Sequence, residues 1–230
     1  IDRETGRALA ANPIVRTNWG DGFDLETQRP NLTMDVADYT DGPKIVFPAS
    51  PGARNWYPAA YDPGRNTYFA HVLDMGNLLW LPGPVDNVER QVNFLNAGAA
   101  IIFSPDLEAA AATLPPPVRS AVESHPHWQW VLDQPFTSEL RAIDPMTGAT
   151  KWAVPSLGWQ DRHGALATQS GVVFHGNLAG TLFARDADTG EELWRVETGS
   201  TIMAAPMTYS VDGVQYVAVQ TGWGGGGWGF

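Results

Sequence analysis

Chemistry in a protein needs side chains or backbone groups that can donate, accept or hold charge, and this chain offers few local clusters of them. It has no cysteine, so thiol nucleophiles, zinc-thiolate centres and disulfides are excluded. "HPH" places His125 and His127 two residues apart with no acid beside them, a weak metal pair that reads more simply as loop packing. The acids of "DVADYTDG" (35–42) match no calcium-loop spacing and read as a solvated loop. The closing "GWGGGGWGF" is different in kind. Glycines carry no side chain, and four in a row describe loose chain as readily as a built loop.

The elements that must position such groups are short strands. In 230 residues there are 24 glycines and 18 prolines, a turn-rich composition. Hydrophobic residues make up 43% and charged residues 17%, which argues for a sizeable core and against disorder. "GALAT", "GVVFHG", "TLFARD" and "ELWRVE" follow one another with tight turns between them, an expected four-stranded antiparallel meander. "APMTYSVDGVQYVAVQ" restarts the pattern, with Asp212-Gly213 as its hairpin turn.

A repeated phrase fixes the period. "AIDPMTGATKW" (142–152) and "ARDADTGEELW" (184–194) share Ala, Asp, Thr-Gly and Trp at the same offsets, 42 residues apart. Four strands per 40 to 45 residues is the period of a propeller blade. The Asp should accept hydrogen bonds from the turn's backbone, the Gly should supply the positive φ, and the Trp should lie on an outer strand between blades. "DRETGRAL" (2–9) and "DLETQRP" (24–30) read as degenerate copies, the first with Ala10 in place of Trp and the second without the Gly. Fewer than four blades fit, so the ring must be completed by a second chain or by further sequence. The start without Met, inside a strand-turn-strand, and the abrupt end are expected of a piece of a longer protein.

Between 76 and 137 the blade pattern stops. "SPDLEAAAAT" predicts a short helix from about residue 105, "PPP" (115–117) should stop it, and "VRSAVESH" can form a second. This insertion, mixed helix and loop, is expected to shape the entrance to a central site. The net charge of −11 disfavours nucleic acid. No apolar run spans a membrane, and "IDRETGRALA" lacks the basic and apolar regions of a signal peptide.

Four segments in order resemble the pyrroloquinoline quinone (PQQ)-dependent alcohol dehydrogenases: "IDRETGRAL", "ARNWYPAAYDP", "ALATQSGVVFHGNLAGTLFARDADTGEELWRVETGS" and "VQYVAVQTGWGG". The resemblance covers most of 1–75 and 138–226 and corresponds to a C-terminal half. It implies an all-β fold, 1–230 being part of an eight-bladed β-propeller, and oxidation of a primary or secondary alcohol, polyol or sugar. It also implies a PQQ cofactor with Ca2+ or a lanthanide, a cytochrome c-type electron acceptor and a periplasmic location. Arg3 matches the arginine that faces the quinone oxygens, the one catalytic role the resemblance places here, and Asn55 matches a cofactor-bonded asparagine. Trp56 would line the substrate cavity or pack between blades.

The family has a tryptophan just before its "G-x-L-A-T" strand. Here "GWQDRHGALAT" leaves Trp159 a few residues early, and a gapless match places Asp161 or Arg162 there. Trp159, Arg162 and His163 therefore remain rival cofactor contacts, with His163 also an expected second proton acceptor. Trp223, Gly224 and Gly225 match the loop that presents backbone N–H groups to a PQQ carboxylate. The metal ligands and catalytic base belong to the family's N-terminal half, the expected partner, and are not expected in this chain. The rival expectation is a cofactor-free β-propeller that serves as a binding or assembly scaffold.

Overall fold

A computed structural model describes residues 1–33, 42–80, 100–102, 106–133, 136–158 and 161–223. Its two compact units are taken in turn. The first comprises 1–11, 15–52 and 74–136, and the second 12–14, 53–73 and 137–230.

In the first unit β1 (Gly20–Asp24) pairs with β2 (Arg29–Leu32) as an antiparallel hairpin. A three-stranded sheet has the order β3 (Lys44–Val46), β6 (Asn77–Trp80), β7 (Ala100–Ile102). Two strands therefore lie inside the segment expected to be helix and loop. Runs as short as "NLLW" and "AII" carry too few residues for an alternation to be read. Helix α1 (Leu107–Ala112) starts two residues later than expected, because Asp106 and not Ser104 caps it: Asp106 Oδ1 accepts from Ala109 N at 2.8 Å. The prolines do more than stop α1. Pro116 opens α2 (Pro116–Glu123), where a missing N–H costs nothing. The "HPHWQW" segment, expected to be loop, instead supplies α3 (Trp128–Leu132). Ile45, Phe47, Leu78, Ala111, Leu114, Val122 and Val131 form this unit's core.

The second unit holds the repeat. One sheet runs β4 (Ala60–Asp62), β5 (Thr67–Asp74), β8 (Thr137–Ile143), β9 (Thr150–Pro155). The other runs β10 (Ala165–Ala167), β11 (Val172–His175), β12 (Thr181–Asp186), β13 (Glu192–Glu197), antiparallel throughout. The two copies of the phrase superimpose in register. Ala142 faces Trp152 and Ala184 faces Trp194, each with an irregularity immediately after the Ala. Asp144 Oδ1 accepts from the amides of Met146 (2.8 Å) and Thr147 (3.2 Å), and Asp186 Oδ1 from those of Asp188 and Thr189 (both 2.9 Å).

Both degenerate copies, in the first unit, keep this turn through Asp2 and Asp24. The positive φ falls at Gly6 (73°), Gly148 (74°) and Gly190 (76°), and at Gln28 (61°) where the glycine was lost.

Trp152 shows what the phrase is for. Its Nε1 donates to the Ala187 carbonyl at 3.0 Å, its ring lies 5.7 Å from that of Phe69, and a Cβ on Gly190 would meet the indole at 2.8 Å. The tryptophan ending one four-stranded sheet thus docks on the Asp-Gly turn of the next. Trp194, its counterpart, is 50% exposed. The hairpin β14 (Met207–Val211), β15 (Val214–Ala218) turns at Asp212-Gly213 as expected, with φ of 49° and 80°.

Candidate functional site

Polar groups in the second unit converge where β5, β8, β10, β11 and β12 meet two loops, 53–58 and 156–164. Both loops are held by backbone bonds, the second to β8 through Ser156 N and the Ser138 carbonyl at 2.8 Å. Ala165 N donates to the Pro58 carbonyl at 3.0 Å and Gly164 N to the Met203 carbonyl at 3.1 Å. The approach of the chain is close at two glycines: a Cβ on Gly164 would sit 2.6 Å from Ala205 Cα, and one on Gly176 2.1 Å from Ile202 Cγ2.

Into this framework the chain places three buried histidines, His71 from β5, His163 from the second loop and His175 from β11. Their rings form a row. Tyr57 meets His71 edge-on at 6.2 Å, His71 meets His163 at 4.4 Å, His163 meets His175 at 4.7 Å, and His175 stacks on Phe183 at 4.9 Å. At one end Trp56, 54% exposed, tilts against Tyr57 at 4.7 Å, and at the other the Arg185 guanidinium lies 4.9 Å from the centre of the Phe183 ring.

The bonds assign tautomers. Arg185 Nε donates to His175 Nε2 at 2.9 Å, so that nitrogen is a lone pair and His175 Nδ1–H donates to the Gly176 carbonyl at 3.0 Å. Ser138 spends its single hydrogen on the Asp161 carbonyl at 2.9 Å, so its oxygen accepts from His71 Nε2–H at 2.8 Å. Ser156 Oγ stands 3.3 Å from the same nitrogen. His71 Nδ1 is then an acceptor.

Burial holds all three imidazoles neutral. It pushes His163 down from 6.5 to about 4, and it pushes His71 and His175 well below the ordinary range with help from neighbouring positive charge. Burial also raises the Asp161 carboxyl, whose oxygens accept from the Leu157 and Leu178 amides at 3.3 and 3.0 Å. It raises the Tyr57 phenol too, against the opposing pull of the Arg162 charge. Among the described residues no group of three or more His, Asp or Glu is arranged to hold a metal ion.

The residues singled out in the sequence fall in several places. Arg3 is exposed in the Asp2–Gly6 turn of the first unit. Asn55 is exposed beside Trp56 and accepts from the Trp56 amide at 2.8 Å. Arg162 is half-buried with its Nε buried, and His163 is buried at the centre of the row. Trp223 is 56% exposed, one residue after Gly222, whose amide donates to the Thr201 carbonyl at 2.6 Å. Trp159, Gly224 and Gly225 lie outside the described residues. His125 and His127 belong to the first unit, where His127 Nδ1 is 3.2 Å from Asn18 Nδ2.

Sequence reasoning missed Tyr57, His71, Ser138, His175 and Arg185. The available signal was a histidine inside each of two strand runs, "TYFAHVL" and "GVVFHG", where a buried strand should be apolar.

The chain matches the family described as "PQQ: Glucose/ethanol/alcohol dehydrogenase, beta-propeller domain" over residues 36–217. It is 33% identical over 229 residues to quinohemoprotein alcohol dehydrogenase ADH-IIG of Pseudomonas putida, covering 98% of this chain and 29% of that protein. It is 30% identical over 227 residues to 1-butanol dehydrogenase (cytochrome c) of Thauera butanivorans, with 98% and 29% covered. The solved structure of quinohemoprotein alcohol dehydrogenase ADHIIG from Pseudomonas putida HK5 aligns with a TM-score of 0.75 at 32% identity, over 97% of this chain and 30% of that one. The chain thus spans under a third of the length of these relatives. No helix among the described residues is long and apolar enough to cross a membrane. With the blade-like sheets and docked tryptophan already in place, the match identifies this chain as a member of the PQQ-type glucose/ethanol/alcohol dehydrogenase β-propeller family.

Proposed function

We propose that this chain is part of a quinoprotein that oxidises an alcohol, a primary or secondary alcohol, polyol or sugar, to its carbonyl compound. Electrons pass to a cytochrome c-type acceptor in the periplasm. The remaining blades of an eight-bladed propeller come from further polypeptide, corresponding to the N-terminal half of such an enzyme. The observation that carries this reading is the family match over 36–217, which encloses Asn55, Trp56, Arg162 and His163. The relatives' names support the same chemistry: one is a quinohemoprotein alcohol dehydrogenase and another a cytochrome c-linked butanol dehydrogenase.

The residues present suit a flat, oxygen-rich, anionic cofactor. Trp56 offers an exposed indole face, and Arg162, half-buried, brings a permanent positive charge. When bound, PQQ and its Ca2+ or lanthanide ion supply the hydride acceptor and the Lewis acid.

The chain's own groups bind and orient. Arg3 and Arg162 carry permanent charge and donate toward the quinone oxygens, where negative charge develops. Asn55 orients the ring without adding charge. Trp56 and Trp159 flank it, and Trp223, Gly224 and Gly225 turn backbone N–H groups to a carboxylate. His163, buried and held near 4, is too weak a base to keep a proton and backs this wall as a neutral ring, while the general base and metal ligands come from outside this chain. The 76–137 insertion shapes the entrance and selects the alcohol.

The test is made on the full-length protein. A new absorbance band on adding PQQ with calcium or a lanthanide, followed by alcohol-dependent dye reduction, supports the reading. Absence of both with every metal tried would leave a cofactor-free scaffold as the better account.

A further inference from the structure

Five buried side-chain nitrogen or oxygen atoms among the described residues lack a hydrogen-bond partner: Tyr57 Oη, His71 Nδ1, Asn77 Nδ2, Arg162 Nε and His163 Nδ1. Four of these five belong to one neighbourhood. Tyr57, His71 and His163 are consecutive members of the ring row, and the Arg162 charge acts on both Tyr57 and His71. Tyr57, His71 and His163 are each 2% exposed or less, so bulk water does not satisfy them. An unpaired buried polar atom loses its bonds to water and gains none in return. Arg162 approaches the Tyr57 hydroxyl and the Gly164 backbone the His163 ring, yet neither approach closes a bond of proper geometry at these atoms, and four such atoms in one place mark a missing partner.

The chemistry of that partner follows from the atoms. His71 Nε2–H is committed to Ser138, so Nδ1 presents a lone pair and needs a donor. Arg162 Nε carries a hydrogen and needs an acceptor. Tyr57 Oη can do either. A cation is disfavoured, because Arg54 and Arg162 both act on His71, no carboxylate does, and the Asp161 carboxyl is engaged by two backbone amides. A carboxylate or phosphate can serve Arg162 and has no hydrogen for His71. A group that donates one hydrogen and accepts others is a hydroxyl.

We infer that Tyr57, His71, Arg162 and His163 enclose a binding site for a single hydroxyl group, donated to His71 Nδ1 and accepting from Arg162 Nε. The group is that of a water molecule or of a small alcohol. Its consequence is structural as well as chemical: it ties the 156–164 loop, which carries Arg162, to strand β5 through His71. The site is built only from groups of this chain and does not depend on the quinone reading.

Crystals of the full-length protein grown without alcohol, and a parallel set soaked in 2-bromoethanol, test it directly. The expected result is one oxygen within hydrogen-bond distance of both His71 Nδ1 and Arg162 Nε. A bromine signal beside it after soaking assigns an alcohol site, and an unchanged oxygen without bromine assigns water; either supports the proposal. Four side chains bonded directly to one another, with no oxygen between them, would overturn it. Nitrogen-15 shifts give a second readout: His71 should carry its hydrogen on Nε2, and a hydrogen on Nδ1 contradicts the assignment. Tyr57→Phe keeps the ring and removes one bond, so amide exchange across 157–163 should quicken by roughly fivefold. His71→Phe, which removes the acceptor, should abolish the oxygen. Unchanged exchange in Tyr57→Phe with the oxygen retained in a folded His71→Phe would sink the proposal.

Discussion

An imidazole that is neutral when folded and free to protonate when unfolded ties stability to pH. His163 is held near 4 by burial, against 6.5 in the open chain. Between these values the unfolded chain binds a proton that the folded one refuses. Stability is therefore whole above about pH 6.5 and declines as the pH falls toward 4, with about 3 kcal/mol at stake for this residue. His71 and His175 are lowered in the same direction and steepen the decline, while Arg185 on His175 and Arg54 and Arg162 near His71 add repulsion to any proton taken up. Denaturation midpoints of the full-length protein from pH 7.5 to 4.5 should fall, and His163→Gln should flatten the slope. A midpoint independent of pH across that range would refute the buried, neutral state of the row.

At the scale of the element, the Asp-Gly turn and the tryptophan act as a fastener between sheets. Trp152→Ala removes an indole and its bond to Ala187, and should cost about 3 kcal/mol by chemical denaturation. Gly176→Ala places a Cβ 2.1 Å from the methyl of the fully buried Ile202 and should cost about 1–3 kcal/mol. Neutral outcomes for both would mean that the segments do not pack as described. These fasteners were legible in the sequence because each is local: an Asp, a positive-φ residue and a Trp at fixed offsets along one hairpin. The histidine row was not, since its contacts join residues far apart, Ser138 to His71 across 67 positions. The start of α1 was misread for a local reason. Ser104 and Asp106 are both good caps, and only the bond to Ala109 decides between them. Strands β6 and β7 escaped because so few residues carry no period.

For the whole molecule, the telling surface is at the C-terminal strands. Leu193, Trp194 and Val196 on β13, and Met207, Tyr209, Val211, Val214, Tyr216 and Val217 on β14 and β15, are all exposed large apolar side chains. Trp194 occupies the place that Trp152 fills by docking, so further blades of the propeller are the occupant this face calls for. Amides of β13 to β15 should be strongly protected from hydrogen exchange in the full-length protein. Rapid exchange there would show that no further blade covers them. The central claim, that this propeller carries out quinone-dependent alcohol oxidation, meets its most direct test in the full-length protein titrated with PQQ in the presence of calcium or a lanthanide. The account predicts stoichiometric PQQ binding and alcohol-dependent dye reduction that falls at least about tenfold in Arg3→Ala. Binding and turnover absent under all metal conditions would contradict it.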